Sequence, residues 1–210
     1  MYCPSLFRED RPEAQHALIR AHPLGLLISH GPSGLLANLL PFVLKTADPE
    51  RAVLHAHMAR ANPQWRELDG QAVLVVFRGP DAYISPSLYA TKKETGKVVP
   101  TWNYVMVQVR GTATLKDQLD WLTPQLHTLT SEREAGRPHP WSVADAPPDF
   151  VEAQKRAIVG LEIEITAIEG KWKVSQNQPE ANRRSVVAGF SEDAGTREMA
   201  ELVRSYGKLE

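Results

Sequence analysis

His55 and His57 stand two residues apart in Val53-Leu54-His55-Ala56-His57, a segment of strand character. Alternate residues of a strand face one side, so both imidazoles point the same way. That would begin a metal site, but no third ligand stands at a recognisable spacing. A histidine on a half-buried strand is more often structural, and no metal is expected. Ser85 and Ser87 lie in a turn without the G-x-S-x-G elbow of a serine hydrolase. No G-x-G-x-x-G and no Walker sequence is present, which removes the Rossmann and P-loop routes to a nucleotide. Cys3 is the only cysteine, so there is no intrachain disulfide and no thiolate zinc site.

Four other segments carry more. Ala59-Arg60-Ala61-Asn62-Pro63-Gln64-Trp65 joins a strand to a short helix, with Asn62 as N-cap and Pro63 at the first helical position. A helix start offers free N–H groups, and Arg60 beside it could form charge-assisted bonds to a phosphate. On spacing alone, Arg60 is a surface arginine beside a cap. Tyr83-Ile84-Ser85-Pro86-Ser87-Leu88-Tyr89 and Val99-Pro100-Thr101-Trp102-Asn103-Tyr104 place aromatic planes and an amide on both sides of a basic loop. A flat heteroaromatic ligand wants that mixture, and so does an ordinary aromatic core. In Lys171-Trp172-Lys173-Val174-Ser175-Gln176-Asn177, a strand would put Lys171, Lys173 and Ser175 on one face and Trp172 and Val174 on the other. The first face suits an anion; the bland alternative is a solvated face packed by Trp172.

The elements that must position these residues follow from periodicity and turn chemistry. Asp10 and Glu13 open a helix that Pro23 ends, with Ala14, Leu18 and Ala21 on its apolar face. Leu24–Ser29 and Leu35–Leu44 form a hairpin with a five-residue loop, His30 to Gly34. Val53–His57 is a third strand and Val73–Phe77 a central one. Gly79-Pro80 turns it, and Asp81–Ser85 returns. Pro86–Val98 is a polar loop with Lys92, Lys93, Glu94 and Lys97, long enough to suggest function. Thr101–Thr114 is a long strand. Asp117–Leu122 and Thr123–Glu134 are two helices, the second begun by Pro124. Gly136–Pro148 is a linker, and Asp149 caps a helix running to about Ala157. Val159–Ile168 is a half-buried strand that Gly170 turns into Lys171–Ser175. Pro179–Phe190 and Thr196–Tyr206 are helical. The result is an α+β protein on a small, mostly antiparallel barrel of about eight strands.

At 210 residues the chain reads as a single domain, 1–210, with a helical extension over about 179–210. Its 24 basic and 25 acidic residues give no general attraction to nucleic acid. The opening MYCPSLFREDRPE lacks the pattern of a signal peptide, and no apolar run approaches a membrane span. A soluble, cytoplasmic protein with no membrane partner is expected.

These blocks together resemble the PaiB-type family of FMN-binding split-barrel proteins, often labelled negative transcriptional regulators. The resemblance runs nearly end to end. It rests on Met1-Tyr2 with Pro4 and Phe7, Ser33-Gly34-Leu35-Leu36-Ala37, Ala59-Arg60-Ala61-Asn62-Pro63 and Ala82-Tyr83-Ile84-Ser85-Pro86. It also rests on Val99-Pro100-Thr101-Trp102-Asn103-Tyr104, and on Gly170-Lys171-Trp172-Lys173 with Ser175-Gln176-Asn177. Two positions depart from the family: Leu88 stands where it commonly has Trp, and Leu39 where it commonly has His.

The resemblance implies a six-stranded split β-barrel with peripheral helices, a homodimer, and FMN at the dimer interface. In related flavin split barrels a basic residue after the third strand contacts the phosphate, and Arg60 occupies the similar position. The residues expected at the flavin are Arg60, Asn62, Ser85, Trp102, Asn103, Tyr104, Lys173, Ser175, Gln176 and Asn177, shared between two subunits. The strand Val99–Val109 is expected to supply the apolar dimer surface. No catalytic residue is assigned. The family label implies a regulator with a flavin-dependent redox or sensing role, and DNA as a partner. Arg183–Glu210, however, carries five basic against five acidic residues, where a recognition helix is normally more basic. The alternatives are a DNA-binding repressor that needs no flavin, and a heme-binding split barrel using His30, His55 or His57.

Overall fold

The computed structural model describes residues 1–48 and 51–209. In chain order the elements are β1 Arg8–Glu9, α1 Pro12–Ala21, β2 Leu24–Gly31, β3 Gly34–Pro41, β4 Val43–Asp48, β5 Arg51–Ala59 and β6 Ala72–Ile84. Then come α2 Lys92–Thr95, β7 Thr101–Lys116, α3 Leu119–Glu134, α4 Pro148–Arg156, β8 Ile158–Lys173, α5 Glu180–Ser191 and α6 Arg197–Tyr206. Short 3-10 turns cover Pro63–Glu67 and Pro86–Leu88. The sheet order is β3-β2-β6-β7-β8-β5-β4, with β1 on β8. The pairs β1–β8, β2–β3, β2–β6, β4–β5 and β5–β8 are antiparallel. No helix among the described residues is long and apolar enough to cross a membrane.

The sheet thus has eight strands among the described residues, where the resemblance implies six. Two features raise the number. β1 is a pairing of only two residues, Arg8 and Glu9 with Lys171 and Gly170. β3 and β4 are one expected strand broken at Phe42, whose N–H leaves the ladder to bond Pro23 O at 2.8 Å.

Other expected breaks are bridged. The hairpin is tighter than expected, with Gly31 opposite Gly34 and only Pro32 and Ser33 between them. β6 runs straight through Gly79-Pro80. Its buried positions shift from Val73, Val75 and Phe77 to Ala82 and Ile84, so the pair absorbs a change of phase rather than a reversal. Arg78 and Asp81 brace that step with a 2.7 Å ion pair. β8 likewise passes through Gly170. That glycine is there for close approach: a Cβ would lie 2.6 Å from Glu9 O and 2.8 Å from the Trp172 ring. α3 is one helix with Pro124 inside it. Pro124 removes one N–H, but the helix holds because Leu122 and Gln125 are buried. Asp149 lies in the first turn of α4, behind Pro147 as N-cap. At α1 it is Glu9, not Asp10, that accepts the Arg11 N–H, at 3.0 Å.

The chain divides into two units, one of Met1–Leu18, Arg78–Val107 and Glu169–Glu210, the other of Ile19–Phe77 and Gln108–Ile168. Glu210 itself lies outside the described residues. In the first unit, buried Ile84, Val105, Val107, Trp172, Val174, Phe190 and Val203 form the apolar interior. Glu9 is buried there, held by the Arg11 guanidinium at 2.6 and 2.8 Å and by the Tyr206 hydroxyl. In the second unit the interior includes Leu27, Phe42, Leu54, Phe77, Leu122, Leu161 and Ile163. Phe42 and Phe77 meet edge to face at 5.6 Å. Val105, Val107 and Val109 are buried on one face of β7, while Val99 and Trp102 of the same segment are exposed.

Candidate functional site

The first unit gathers the start of β7, the end of β8 and the turn that follows. The period of two puts Lys171 and Lys173 on one face of β8 and buries Trp172 on the other, as the sequence suggests. The two ammonium groups lie 5.3 and 6.0 Å from the Tyr104 ring, and Lys171 is also 5.6 Å from the ring of Tyr2. Both lysines are oriented. Lys171 Nζ donates to Tyr2 O at 3.1 Å, and Lys173 Nζ donates to Thr101 Oγ1 and to Trp102 O, the latter at 2.7 Å. Burial, with the neighbouring charge of Lys171, holds the Lys173 ammonium below the usual lysine pKa.

Ser175 is not a strand residue. β8 ends at Lys173, and Ser175 sits at φ +66°, in the left-handed region. Its buried Oγ accepts from Asn103 Nδ2 at 2.8 Å. Gln176 turns back on its own strand, accepting from Val174 N at 2.7 Å and donating to Trp172 O at 2.6 Å. Asn177 is exposed. Trp102 and Tyr83 are about half exposed, at 52% and 49%, and meet edge to face at 5.8 Å. Ser85 caps the 3-10 turn Pro86–Leu88 by accepting from Ser87 N at 3.2 Å. Leu88 packs against Gly189 of α5, where a Cβ would come within 2.6 Å of its Cδ2.

Arg60 and Asn62 belong to the second unit. Asn62 Oδ1 accepts from Gln64 N at 3.0 Å, the cap the sequence predicts, although the helix it starts is a 3-10 turn. The Arg60 guanidinium is engaged within the chain. It donates to the Asp117 carboxylate, to Arg156 O at 3.1 Å and to Ile158 O at 2.8 Å, and lies over the Trp65 ring at 5.9 Å.

The two strand histidines do face one side. His55 Nε2 is 3.0 Å from Glu162 Oε2 and its ring is 4.8 Å from that of Trp121. Glu162 also holds Lys116 at 3.0 Å. His57 Nδ1 is 2.9 Å from Gln125 Oε1. Burial lowers the pKa of both imidazoles.

Five of the expected residues therefore come together in the first unit: Trp102, Asn103, Tyr104, Lys173 and Ser175. Thr101, Lys171 and Tyr2 complete the cluster. Lys171 was legible from its alternation with Lys173, whereas nothing in the spacing pointed Tyr2 toward β8.

Residues 1–167 match the family described as "Putative FMN-binding domain". The chain belongs to that family. It is 34% identical to an uncharacterised protein of Emericella nidulans, covering 100% of this chain and 98% of the relative. It is 30% identical to the protease synthase and sporulation protein PAI 2 of Bacillus subtilis, covering 97% and 96%. In fold it is similar to the FAD and heme binding protein from Mycobacterium smegmatis, with a TM-score of 0.59 at 17% identity over 87% of this chain and 80% of that one. The split-barrel resemblance read from the sequence holds at the level of family and fold.

A flavin mononucleotide asks for cations or N–H groups at its phosphate, a flat apolar face for its ring and donors at the ring edge. The first unit has these chemistries: the half-buried Lys173 on β8, two half-exposed aromatic rings and the Thr101 hydroxyl, with Lys171, Asn103 and Ser175 buried as their support. The residues present fit the group.

Proposed function

We propose that this chain binds FMN through its first unit and works as a flavin-responsive regulator of transcription. The observation that carries the proposal is the Lys171–Tyr104–Lys173 stack near the half-exposed Trp102 and Tyr83, in a member of the FMN-binding family. Bound FMN supplies reversible uptake of electrons. The chain's own part is to hold it. Trp102 offers an aromatic face, Lys173 keeps one N–H beyond those given to Thr101 and Trp102, and Asn103 keeps Ser175 in place. Regulation is favoured by the Bacillus relative, whose name ties it to protease synthesis and sporulation.

The working form in this proposal is a cytoplasmic homodimer. The support for a dimer lies in β3, at one end of the sheet order, where Leu35, Ala37 and Leu39 are exposed on one face. Leu35 and Leu39 are 76% and 59% exposed, a row of apolar surface that a second copy would remove from water. Light scattering at micromolar concentration should report two chains, and Leu39→Asp should report one.

The visible spectrum of protein purified without added cofactor tests the flavin proposal. Flavin bands, or their appearance on titration with FMN, are expected, and Lys173→Met should weaken binding at least tenfold. A Soret band would replace the flavin with heme. A colourless protein that takes up no FMN yet shifts an operator fragment would be a repressor without flavin.

A further inference from the structure

A cleft of about 200 Å³ lies in the first unit between the segment after the 3-10 turn Pro86–Leu88 and the start of α5. Its walls are tied together. Thr91 N donates to Asn182 Oδ1 at 3.0 Å, and Asn182 Nδ2 donates to Gln178 Oε1 at 3.1 Å. Asn182 is itself buried, and Leu88 fits the notch at Gly189 on the same helix, so the cleft is fixed before any ligand arrives.

What lines it is short of acceptors and rich in donors. Tyr89 is only 4% exposed, and its hydroxyl has no hydrogen-bond partner among the described residues. Burial pushes its pKa up, which keeps the phenol protonated and a donor. Lys97 is exposed and its ammonium makes no ion pair among the described residues. α5, twelve residues long, begins behind Pro179 without a side-chain cap for its first N–H groups, and Pro179 and Asn182 line the cleft. No acidic residue lines the cleft. Glu180, in the first turn, is paired with Arg184 at 2.8 Å. The space is small for a whole flavin and suits a phosphoryl group with a few attached atoms.

We propose that this cleft is a phosphoryl-binding subsite, in which Lys97, the Tyr89 hydroxyl and the first turn of α5 hold a phosphate monoester or inorganic phosphate. The identity of the monoester rests on the FMN proposal; the anion chemistry does not. If the occupant is FMN, its phosphate is anchored here rather than by Arg60, whose guanidinium is already committed to Asp117 and two carbonyls.

Calorimetric titration of the full chain with FMN, riboflavin and inorganic phosphate tests this. Parent, Lys97→Met and Tyr89→Phe are compared, with urea midpoints to show that each variant is folded. The expected result is that both variants lose tenfold or more in FMN affinity and leave riboflavin unchanged. If FMN does not bind, or binds equally to all three proteins, while inorganic phosphate binds the parent and is weakened tenfold in both variants, the subsite stands with free phosphate as its ligand and only the flavin proposal is affected. The subsite is overturned if neither variant weakens either anion. It is also overturned if FMN and riboflavin weaken equally, because the residues then serve the ring.

Discussion

Asn103 donates its side-chain N–H to the hydroxyl of Ser175 at 2.8 Å, both residues buried and 72 positions apart. The bond fixes the first residues of β7 to the turn that closes β8, and so sets Trp102 and Tyr104 relative to Lys173. It is made by a serine in a left-handed conformation, φ +66°, that few side chains adopt.

Replacing Ser175 separates the two contributions. Ser175→Ala keeps the strained backbone and leaves the Asn103 amide unsatisfied, at a cost of about 1–3 kcal/mol. Ser175→Gly loses the same acceptor but relieves roughly 1 kcal/mol of backbone cost. Urea unfolding should rank the proteins parent, Gly, Ala. Equal losses for Gly and Ala would show that the backbone at 175 is unstrained.

Arg60 is expected to act on stability. Its guanidinium satisfies the Asp117 carboxylate and two backbone carbonyls in the second unit. Arg60→Ala should lower the unfolding free energy by about 1–2 kcal/mol and change FMN affinity less than twofold. An unchanged urea midpoint with a tenfold loss of flavin affinity would return Arg60 to the phosphate.

Acid should weaken the first unit through Glu9. The Arg11 guanidinium, above all, draws the Glu9 carboxyl down to about 2 against the opposing effect of burial, with help from Tyr206. The folded pKa is below the unfolded one, so the stabilisation is full above the ordinary value of 4.5 and fades as pH falls toward 2. The shift corresponds to at most roughly 3 kcal/mol, less in salt because Arg11 is exposed. Glu9→Gln should be less stable than the parent at about pH 6, and the gap should narrow at about pH 3. A gap independent of pH would mean that packing, not charge, holds Glu9.

His57 predicts a second pH dependence in the second unit. Burial lowers its pKa below the ordinary 6.5, opposed by the bond to Gln125. The unfolded chain therefore takes up the proton first as pH drops, and stability declines below about 6.5. An NMR titration of the His57 ring should give a midpoint under that of free imidazole. A midpoint at or above it would place the ring in water.

The sequence carried the interior well because alternation is a direct trace of burial. Val105, Val107 and Val109 read as one face of a strand, and all three are buried. Punctuation was harder. Gly79-Pro80, Gly170 and Pro124 each look like a break, yet each lies inside a continuous element, because tertiary packing outweighs local propensity there. β1 is too short for any period to show. At the site, the Lys171–Lys173 alternation was visible, but the pairing of Asn103 with Ser175 crosses 72 residues. Tyr89 and Lys97 stand in segments whose residue types drew notice, but a hydroxyl left without a partner is a property of the folded surroundings.

The order in which the ribosome releases this chain favours one unit over the other. Ile19–Phe77 and Gln108–Ile168 are all available once residue 168 has emerged, whereas the first unit still lacks Glu169–Glu210. Met1–Leu18 must wait for that last part of the unit: Glu9 pairs with Gly170 along the sheet and takes its hydroxyl partner from Tyr206. A nascent chain paused near residue 168 would hold one unit complete in sequence and the other without the Gly170 and Tyr206 partners of Glu9 and without Trp172. That interval is when a chaperone would meet this protein, and the segment it would meet is the amino-terminal one.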